Sequence, residues 1–444
     1  MIETSLLFLA LSLILFFGFF SDVVFRKTSI PDILFLILLG FVLGPNVLGA
    51  IDSAWVETYA PLFTTFTLLF LLYDGAFNID LASFAKGLTK SLRITLLYFI
   101  LSAAVIAGIM HLFGFSITLS VFTGFMLGGV SSAFVIPLLN RLSIHGETYS
   151  VLTLESAMTD VLAIVFALGT LEVIKLRAFD LQSLISNLVS LFAVAGLVGI
   201  CAGILWIVLV KKVFTEHESS MITVAYLLLV FVVTEYLNGN GAIAGLFLGL
   251  MLKNARRLTG IFSDITRKNP EPVKAVAVKK ASANAVGARK AKNGKKDAAT
   301  GEQPATPVTT PKEEFFYHQV SFILKTFFFV YIGSLINIYD TRAIVISVLI
   351  AVALMVIRVF SSFLLFSFRP FEKQWITSFF ARGLAAAAIA QILLLEGIDD
   401  AATIANISYG VICFTIILSS LRVFTVKRHA LKLQEEAAGA SGEK

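Results

Sequence analysis

The sequence predicts an all-α polytopic membrane protein of about thirteen transmembrane helices, built as an inverted-topology repeat with two discontinuous helices. Three observations predict it. Of 444 residues, 57% are apolar and 14% charged, against about 45–50% and about 25% in soluble chains, and mean hydropathy is +0.89. Apolar runs long enough to cross a bilayer recur along the chain. Two of those runs contain sequence poorly suited to a continuous helix. The two cysteines, Cys201 and Cys413, both sit in apolar runs, which excludes a disulfide framework and a cysteine-based zinc site. The first apolar run continues into many others and reads as a span, not a cleaved signal peptide.

A bilayer core about 30 Å thick needs roughly 20 mostly apolar residues per helix, with every backbone polar group satisfied internally. Such runs lie at 4–25, 30–49, 59–79, 92–113, 117–140, 149–174, 183–210, 221–237, 240–252, 318–338, 343–367, 375–397 and 402–424. The ninth is short and glycine-rich. An odd number of spans puts the termini on opposite sides, and the distribution of Lys and Arg orients the chain. Of 35 such cations, 29 fall in loops on the side of the C-terminus, while Lys175, Arg177 and Arg342 lie on the other and Lys325, Arg358 and Arg382 within spans. The N-terminus is therefore expected outside and the C-terminus in the cytoplasm, with the plasma membrane as the location.

The organisation that follows is a first membrane part at 1–252, a linker at 253–317, a second membrane part at 318–424 and a cytoplasmic tail at 425–444. The linker is rich in Lys, Ala, Pro and Thr and nearly free of large apolar residues, so it cannot bury enough to fold and is expected to be disordered. Its basic tract could meet anionic lipid, but it has no aromatic residues on which nucleic-acid bases would stack.

Two pairs of spans resemble one another at a common offset. Ile30-Pro-Asp-Ile-Leu-Phe-Leu-Ile-Leu-Leu-Gly-Phe-Val-Leu-Gly44 in span 2 matches Ala242-Ile-Ala-Gly-Leu-Phe-Leu-Gly-Leu-Met-Leu252 in span 9, and Phe70-Leu-Leu-Tyr-Asp-Gly75 in span 3 matches Phe328-Phe-Val-Tyr-Ile-Gly333 in span 10. An offset of seven spans is odd, so the matched helices run in opposite directions, which is an inverted-topology repeat. The same offset pairs span 5, with Gly128-Gly-Val-Ser-Ser-Ala-Phe-Val-Ile-Pro137, and span 12, with Ala381-Arg-Gly-Leu-Ala-Ala-Ala-Ala-Ile-Ala390. Both are expected to be interrupted near mid-membrane, exposing backbone groups that must line a cavity or be met by ions and side chains. Close packing of small residues is the alternative reading of span 12.

Ionisable groups inside spans cost about 2.5–3.5 kcal/mol each on insertion scales and are functional hypotheses by default. Span 6 carries Glu155 and Asp160, about 140° apart around the helix, so they do not share a face. Ser156 and Asp160 are i and i+4, with Thr159 beside them. A carboxylate with two hydroxyls is a hard oxygen set suited to a small cation such as sodium. Ser131 and Ser132 of the interruption in span 5 are counted with them as candidate ion or proton ligands. Arg382 is the expected partner of Glu155 in a structural ion pair, because either charge alone would be costly. Asp160 is then the carboxylate free to hold a proton or a metal ion. Asp74 in span 3 is a candidate secondary ligand or funnel charge, or else an interfacial residue. Lys325 can snorkel toward the cytoplasm; Arg358 lies deeper, without an assigned partner. Glu235 is expected at the outer interface, and the five histidines do not form a ligand set.

At Glu155-Ser-Ala-Met-Thr-Asp160 the sequence resembles the cation/proton antiporter superfamily, in particular the archaeal sodium/proton exchangers, whose sixth-helix motif is Glu-Ser-x-x-Asn-Asp. Ile30-Pro-Asp-Ile with Gly40 and Gly44-Pro45, Phe327-Phe-Phe-Val-Tyr-Ile-Gly333, and Arg382-Gly383 fall in the family's order. The resemblance implies a homodimer whose protomers have a dimerisation domain and a six-helix core with two crossed, broken helices, the core moving to expose the site alternately to each side. It implies that Asp160 binds the ion and the proton, that Ser156 ligates the cation, that Glu155 and Arg382 stabilise, and that Asp74 falls where some relatives have an acidic ligand. Thr159 departs from the family's Asn, and Ser131-Ser132-Ala133 replaces the Thr-Asp-Pro of many relatives. One exchangeable carboxylate makes electroneutral, one-for-one exchange the simplest stoichiometry.

The function expected is exchange of a monovalent cation, sodium by preference, for protons, with a role in pH homeostasis; potassium/proton exchange on the same scaffold is the alternative. An intramembrane aspartyl protease would need its second Asp in a Gly-x-Gly-Asp setting, whereas Asp160 follows Ala157-Met158-Thr159. A channel fits poorly with an inverted repeat around one titratable carboxylate. The expected partners are the two transported ions, membrane lipid and a second copy of the chain; no nucleic acid, enzymatic activity or cofactor is implied.

Overall fold

The computed structural model describes residues 12–21, 23–24, 31–49, 53–76, 91–142, 144, 147–176, 181–212, 220–255, 311–361 and 368–442. Among them are fifteen helices: α1 (Ser12–Ser21), α2 (Asp32–Leu43), α3 (Ser53–Ala76), α4 (Ser91–Leu112), α5 (Ile117–Met126), α6 (Ser132–Arg141), α7 (Glu147–Leu176), α8 (Leu181–Lys212), α9 (Ser220–Tyr236), α10 (Gly241–Lys253), α11 (Pro311–Leu335), α12 (Thr341–Phe360), α13 (Pro370–Ile376), α14 (Leu384–Leu395) and α15 (Ala401–Gly442). Within six of them lie stretches long and apolar enough to cross a membrane, and seven shorter helices are apolar. The excess over thirteen runs comes from two divisions: the fifth run is split into α5 and α6, and the twelfth into α13 and α14.

Both divisions begin before the stretches expected to break and end within them. The first occupies residues 127–131, and Pro137 lies inside α6. The second occupies 377–383, and the alanine run that follows is helical, as the strong helix propensity of Ala favours. Two other boundaries move. The helix holding the tenth run begins at Pro311, inside the segment read as linker, with proline at a first-turn position where its missing N–H costs nothing. The last helix continues to Gly442, through the tail. Residues 256–310 of the expected disordered linker lie outside the described residues.

The packing repeats as the sequence does. Span 2 matches span 9 and span 3 matches span 10; in the fold α2 packs on α11 (span 10) and α10 (span 9) packs on α3. Each contact therefore maps onto the other when the repeats are exchanged. Glycines set the distance at both crossings: a Cβ at Gly40 would collide with the Val330 carbonyl, one at Gly333 with the Ile37 carbonyl, and one at Gly249 would lie 2.7 Å from the Tyr73 carbonyl oxygen. Helices with little driving force for association in lipid approach closely where small residues admit it. Lys325 of α11 reaches Asp32 of α2 at 2.5 Å beside the first crossing, so it is paired instead of snorkelling.

The helices form two groups. One contains α2, α3 and α8 to α11; the other contains α4 to α7 and α12 to α15, with α12 against α15 and α4 against α5 and α7. The groups meet where α3 packs on α14 and α7, where α8 packs on α7, where α2 packs on α15, and where α11 packs on α14 and α15. The outward surface carries Leu197, Leu205, Leu229 and Val232, all exposed, as expected of helices bathed in hydrocarbon.

Candidate functional site

The two helix interruptions touch. The Ser131 N–H donates to the Ala381 carbonyl at 2.9 Å, and a Cβ at Gly383 would overlap the Ser131 side chain. Interrupting a helix leaves carbonyls at one end and N–H groups at the other without partners, and in a bilayer each must be satisfied within the protein. The first interruption meets this need from α7: the Val130 N–H donates to Thr159 Oγ1 at 2.9 Å, and the Ser132 N–H donates to Asp160 Oδ2 at 3.1 Å. The Ser132 hydroxyl donates to the same Oδ2 at 2.6 Å. Asp160 thus sits at the N-terminus of α6, where backbone N–H groups and the helix dipole favour an anion.

The free carbonyls at the ends of α5 and α13 are met by arginines. Arg382 donates to the carbonyls of Gly128, at 3.0 Å, and Gly129. Arg358 Nε donates to the Ile376 carbonyl at 3.1 Å. Cations at helix C-termini complement the dipole. The rest of the Arg358 guanidinium holds Glu155: Nη2 donates to Oε2 at 2.7 Å and Nη1 to Oε1. This corrects the expected pairing of Glu155 with Arg382. Arg382 lies in the second interruption itself, where the carbonyls ending α5 are within reach, and Glu155 points instead toward α12. The two arginines are linked by Tyr98, whose ring centre lies 4.3 Å from the Arg358 guanidinium carbon and 5.7 Å from that of Arg382, within cation–π range. Glu155, Arg358 and Arg382 are all fully buried.

Asp160 differs from its neighbours. Glu155, Ser156 and Thr159 are buried, whereas Asp160 is half-buried. It lines a cavity of about 60 Å³ together with Ser131, Ser132, Leu72, Gly75 and Leu246, large enough for water. The cavity lies on the seam between the two helix groups, with α3 and α10 on one side and α6, α7 and α14 on the other.

Asp160, Ser131 and Ser132 are therefore brought together, and other candidates are not. The Ser156 hydroxyl donates to the Thr153 carbonyl at 3.1 Å, a bond within its own helix. Thr159 serves the interruption. Asp74 accepts from the Ser321 hydroxyl at 2.7 Å and lies 3.6 Å from His318 Nδ1, facing α11, although its neighbour Gly75 lines the cavity. Sequence reasoning missed Tyr98 and Asp32. An aromatic residue in an apolar run carries no signal, but Asp32 at the start of a span had the same claim to a partner as Lys325. Among the described residues no three His, Cys, Asp or Glu side chains converge to hold a metal ion. The site offers instead a carboxylate, hydroxyls and helix-end backbone groups, which can exchange a proton for a weakly held, hard cation.

The sequence matches the family described as sodium/hydrogen exchanger, transmembrane, over residues 11–275 and 300–428. It is 26% identical over 229 residues to the probable Na(+)/H(+) antiporter 2 of Methanocaldococcus jannaschii, covering 48% of this chain and 52% of that one. It is 23% identical over 233 residues to the K(+)/H(+) antiporter NhaP2 of Shewanella oneidensis, covering 51% of this chain and 40% of that one. The chain thus spans about half the length, or less, of these two relatives. The structure of the sodium proton antiporter MjNhaP1 from M. jannaschii at pH 8 superposes with a TM-score of 0.70 at 19% identity, covering 95% of this chain and all of that one.

Proposed function

This chain belongs to the sodium/hydrogen exchanger family, a family of secondary transporters, and from that premise we propose that it exchanges a monovalent cation for a proton at Asp160 by alternating access. One observation carries the reading: Asp160 is the half-buried member of an otherwise sealed set of charges, and it faces a water-sized cavity on the seam between two helix groups. Movement of one group against the other would expose that seam to each side in turn.

The role of each residue follows. Asp160 carries either the proton or the cation. Ser132 orients its Oδ2 and, with Ser131, supplies oxygen to the cation. Thr159 fixes the interruption that presents Asp160, and Ser156 is a further cation ligand after rotation away from Thr153. Asp74, beside cavity-lining Gly75, is a funnel charge. Glu155 and Arg358 neutralise one another, and Arg382 stands in for a bound cation at the end of α5. The interruptions are read as two crossed discontinuous helices among thirteen spans, with the N-terminus outside and the C-terminus in the cytoplasm of the plasma membrane, in a homodimer. The segment expected as a linker at 253–317 is proposed to lie in the cytoplasm between α10 and α11, its last residues, from Pro311, opening α11.

A single exchangeable carboxylate supports electroneutral, one-for-one exchange. Sodium is the preferred cation, in keeping with the family's description. Potassium is the second reading, favoured by the name of the NhaP2 relative. The test is proton flux in proteoliposomes driven by gradients of sodium, potassium and lithium in turn. Flux with one cation and no net current supports the reading, and current without proton coupling refutes it.

A further inference from the structure

We propose that Thr415 and Ser419 of α15 are positioning residues for the cation site: between them they replace the one helical hydrogen bond that the second interruption gives up, and so hold the groups that frame Asp160. The inference rests on the function proposed above.

In a continuous helix the Arg382 N–H would donate to the carbonyl four residues back, at Ser378. Instead the Arg382 N–H donates to Thr415 Oγ1 at 3.0 Å, and the Ser378 carbonyl accepts from the Ser419 hydroxyl at 2.6 Å. Thr415 and Ser419 are i and i+4 and share one face of α15, which packs along α14. Arg422 continues that face and donates to Thr377 Oγ1 at 3.2 Å. Thr415, Ser419, Ser378 and Arg382 are all buried. Backbone groups left without partners there would be costly, and hydrocarbon offers none. The Thr415 hydroxyl donates back to the Val411 carbonyl at 2.7 Å, which leaves its oxygen to accept from Arg382.

The repeat favours a positioning role over a direct one. Spans 6 and 13, which are α7 and α15, stand at the same seven-span offset as the two interruptions. Val130 and Arg382 each lie two residues before a half-helix, α6 or α14. Each donates its N–H to a buried threonine of the following span, Thr159 or Thr415. Registering Thr415 on Thr159 sets Ile416 against Asp160 and Val411 against Glu155. Helix α15 therefore keeps the hydroxyl that serves the break and has neither carboxylate; both replacements are fully buried aliphatic residues. The Thr415 hydroxyl holds backbone and binds no ion.

What these hydroxyls hold bears on Asp160 through several contacts. Arg382 grips the carbonyls of Gly128 and Gly129, and the Ala381 carbonyl accepts from the Ser131 N–H. Gly383 packs so closely on Ser131 that a Cβ would not fit. Leu384 and Ala385, directly after the interruption, line the same cavity as Ser131, Ser132 and Asp160. A drift of residues 381–383 is thus passed to Ser131 and to the cavity wall.

The experiment measures initial rates of proton flux against the concentration of sodium and of potassium, with the full-length protein in liposomes. Melting of the same purified protein in detergent is followed against each cation. Thr415→Val keeps the shape and removes the acceptor. The KM for the transported cation should rise about tenfold, the lower range for losing a group that holds a metal ligand in place, with the maximal rate little changed. The cation concentration that gives half the stabilisation should rise in parallel. Thr415→Ser, which restores the hydroxyl, should return both to wild type, and Ser419→Ala should move both in the direction of Thr415→Val. Ser420→Ala, on a hydroxyl that bonds back to the Ile416 carbonyl at 2.6 Å, should move neither. An unchanged KM in Thr415→Val, even beside a lower melting temperature, overturns the proposal, as does failure of Thr415→Ser to restore it or an equal rise in Ser420→Ala. Should Thr415→Val not reconstitute, Ser419→Ala is read in the same way. Wild type separates the two ideas: coupled flux beside an unchanged KM in the variants refutes the positioning role alone, whereas neither flux nor stabilisation by either cation refutes the function and the positioning role together. Stabilisation without flux refutes the function, and the half-stabilising concentration in Thr415→Val then decides the positioning role.

Discussion

Arg358 holds both carboxylate oxygens of Glu155, with Nη2 to Oε2 at 2.7 Å, where solvent reaches neither side chain. Removing one partner leaves the other as an uncompensated buried charge, which costs about 3–5 kcal/mol. Glu155→Ala and Arg358→Ala should each lower the melting temperature in detergent by many degrees. Together they should cost clearly less than the sum of the two, since neither charge is then left alone. Strictly additive losses would mean that the two residues do not depend on one another.

Ser132 gives Asp160 two hydrogen bonds, one from its hydroxyl and one from its backbone N–H. Ser132→Ala removes the first and keeps the second. When the cation is bound, the Ser132 hydroxyl is proposed to turn its oxygen to the ion, so Ser132→Ala removes a ligand and the apparent KM for the cation should rise on the order of tenfold, about 1.4 kcal/mol, with the maximal rate changed far less. Initial-rate measurements in proteoliposomes decide this. An unchanged KM would place the Ser132 hydroxyl outside the cation site.

If proton and cation share Asp160, they compete. Below the pH at which the site is half protonated, the apparent KM for the cation should rise by up to about tenfold per pH unit lowered, while saturating cation restores the rate. A KM independent of pH across the acid limb would indicate separate binding sites.

Gly249, at one of the two repeat-related crossings, is not equivalent to Gly108. A Cβ at Gly249 would lie 2.7 Å from the Tyr73 carbonyl oxygen, whereas one at Gly108 meets nothing within 4 Å. Gly249→Ala should destabilise by about 1–3 kcal/mol, the usual cost of overpacking. Gly108→Ala, in the interior of α4, should be neutral or slightly stabilising, because it restrains the unfolded chain. Paired thermal melts measure the contrast, and equal effects would argue against the close crossing of α10 and α3.

Local sequence carried more of the site than of its wiring. Gly128-Gly129 and Ser131-Ser132 announced an interruption, and the Asp160 carboxylate on the neighbouring helix lies on it, because free N–H groups at a helix start attract an anion. The matched motifs around Gly40, Gly249 and the two Tyr-x-Gly segments announced a repeat, and the fold crosses them reciprocally. The partner of Glu155 was not legible. Burial cost says that a carboxylate needs an arginine, but two were available, and the choice depends on where the interruption leaves its carbonyls. For Leu384 to Ala390 the sequence leaves a break and close packing both open, because small residues allow either; the conformation follows alanine's preference for helix.

Asp160 is proposed as the group that alternately carries proton and cation. The direct measurement is sodium-driven proton flux in proteoliposomes for wild type and for Asp160→Asn, with melting and size-exclusion profiles run on the same preparations. The neutral amide keeps the shape and can still accept from Ser132, so the variant should fold as wild type does and show no coupled flux. A folded Asp160→Asn protein that exchanges at the wild-type rate would contradict the account.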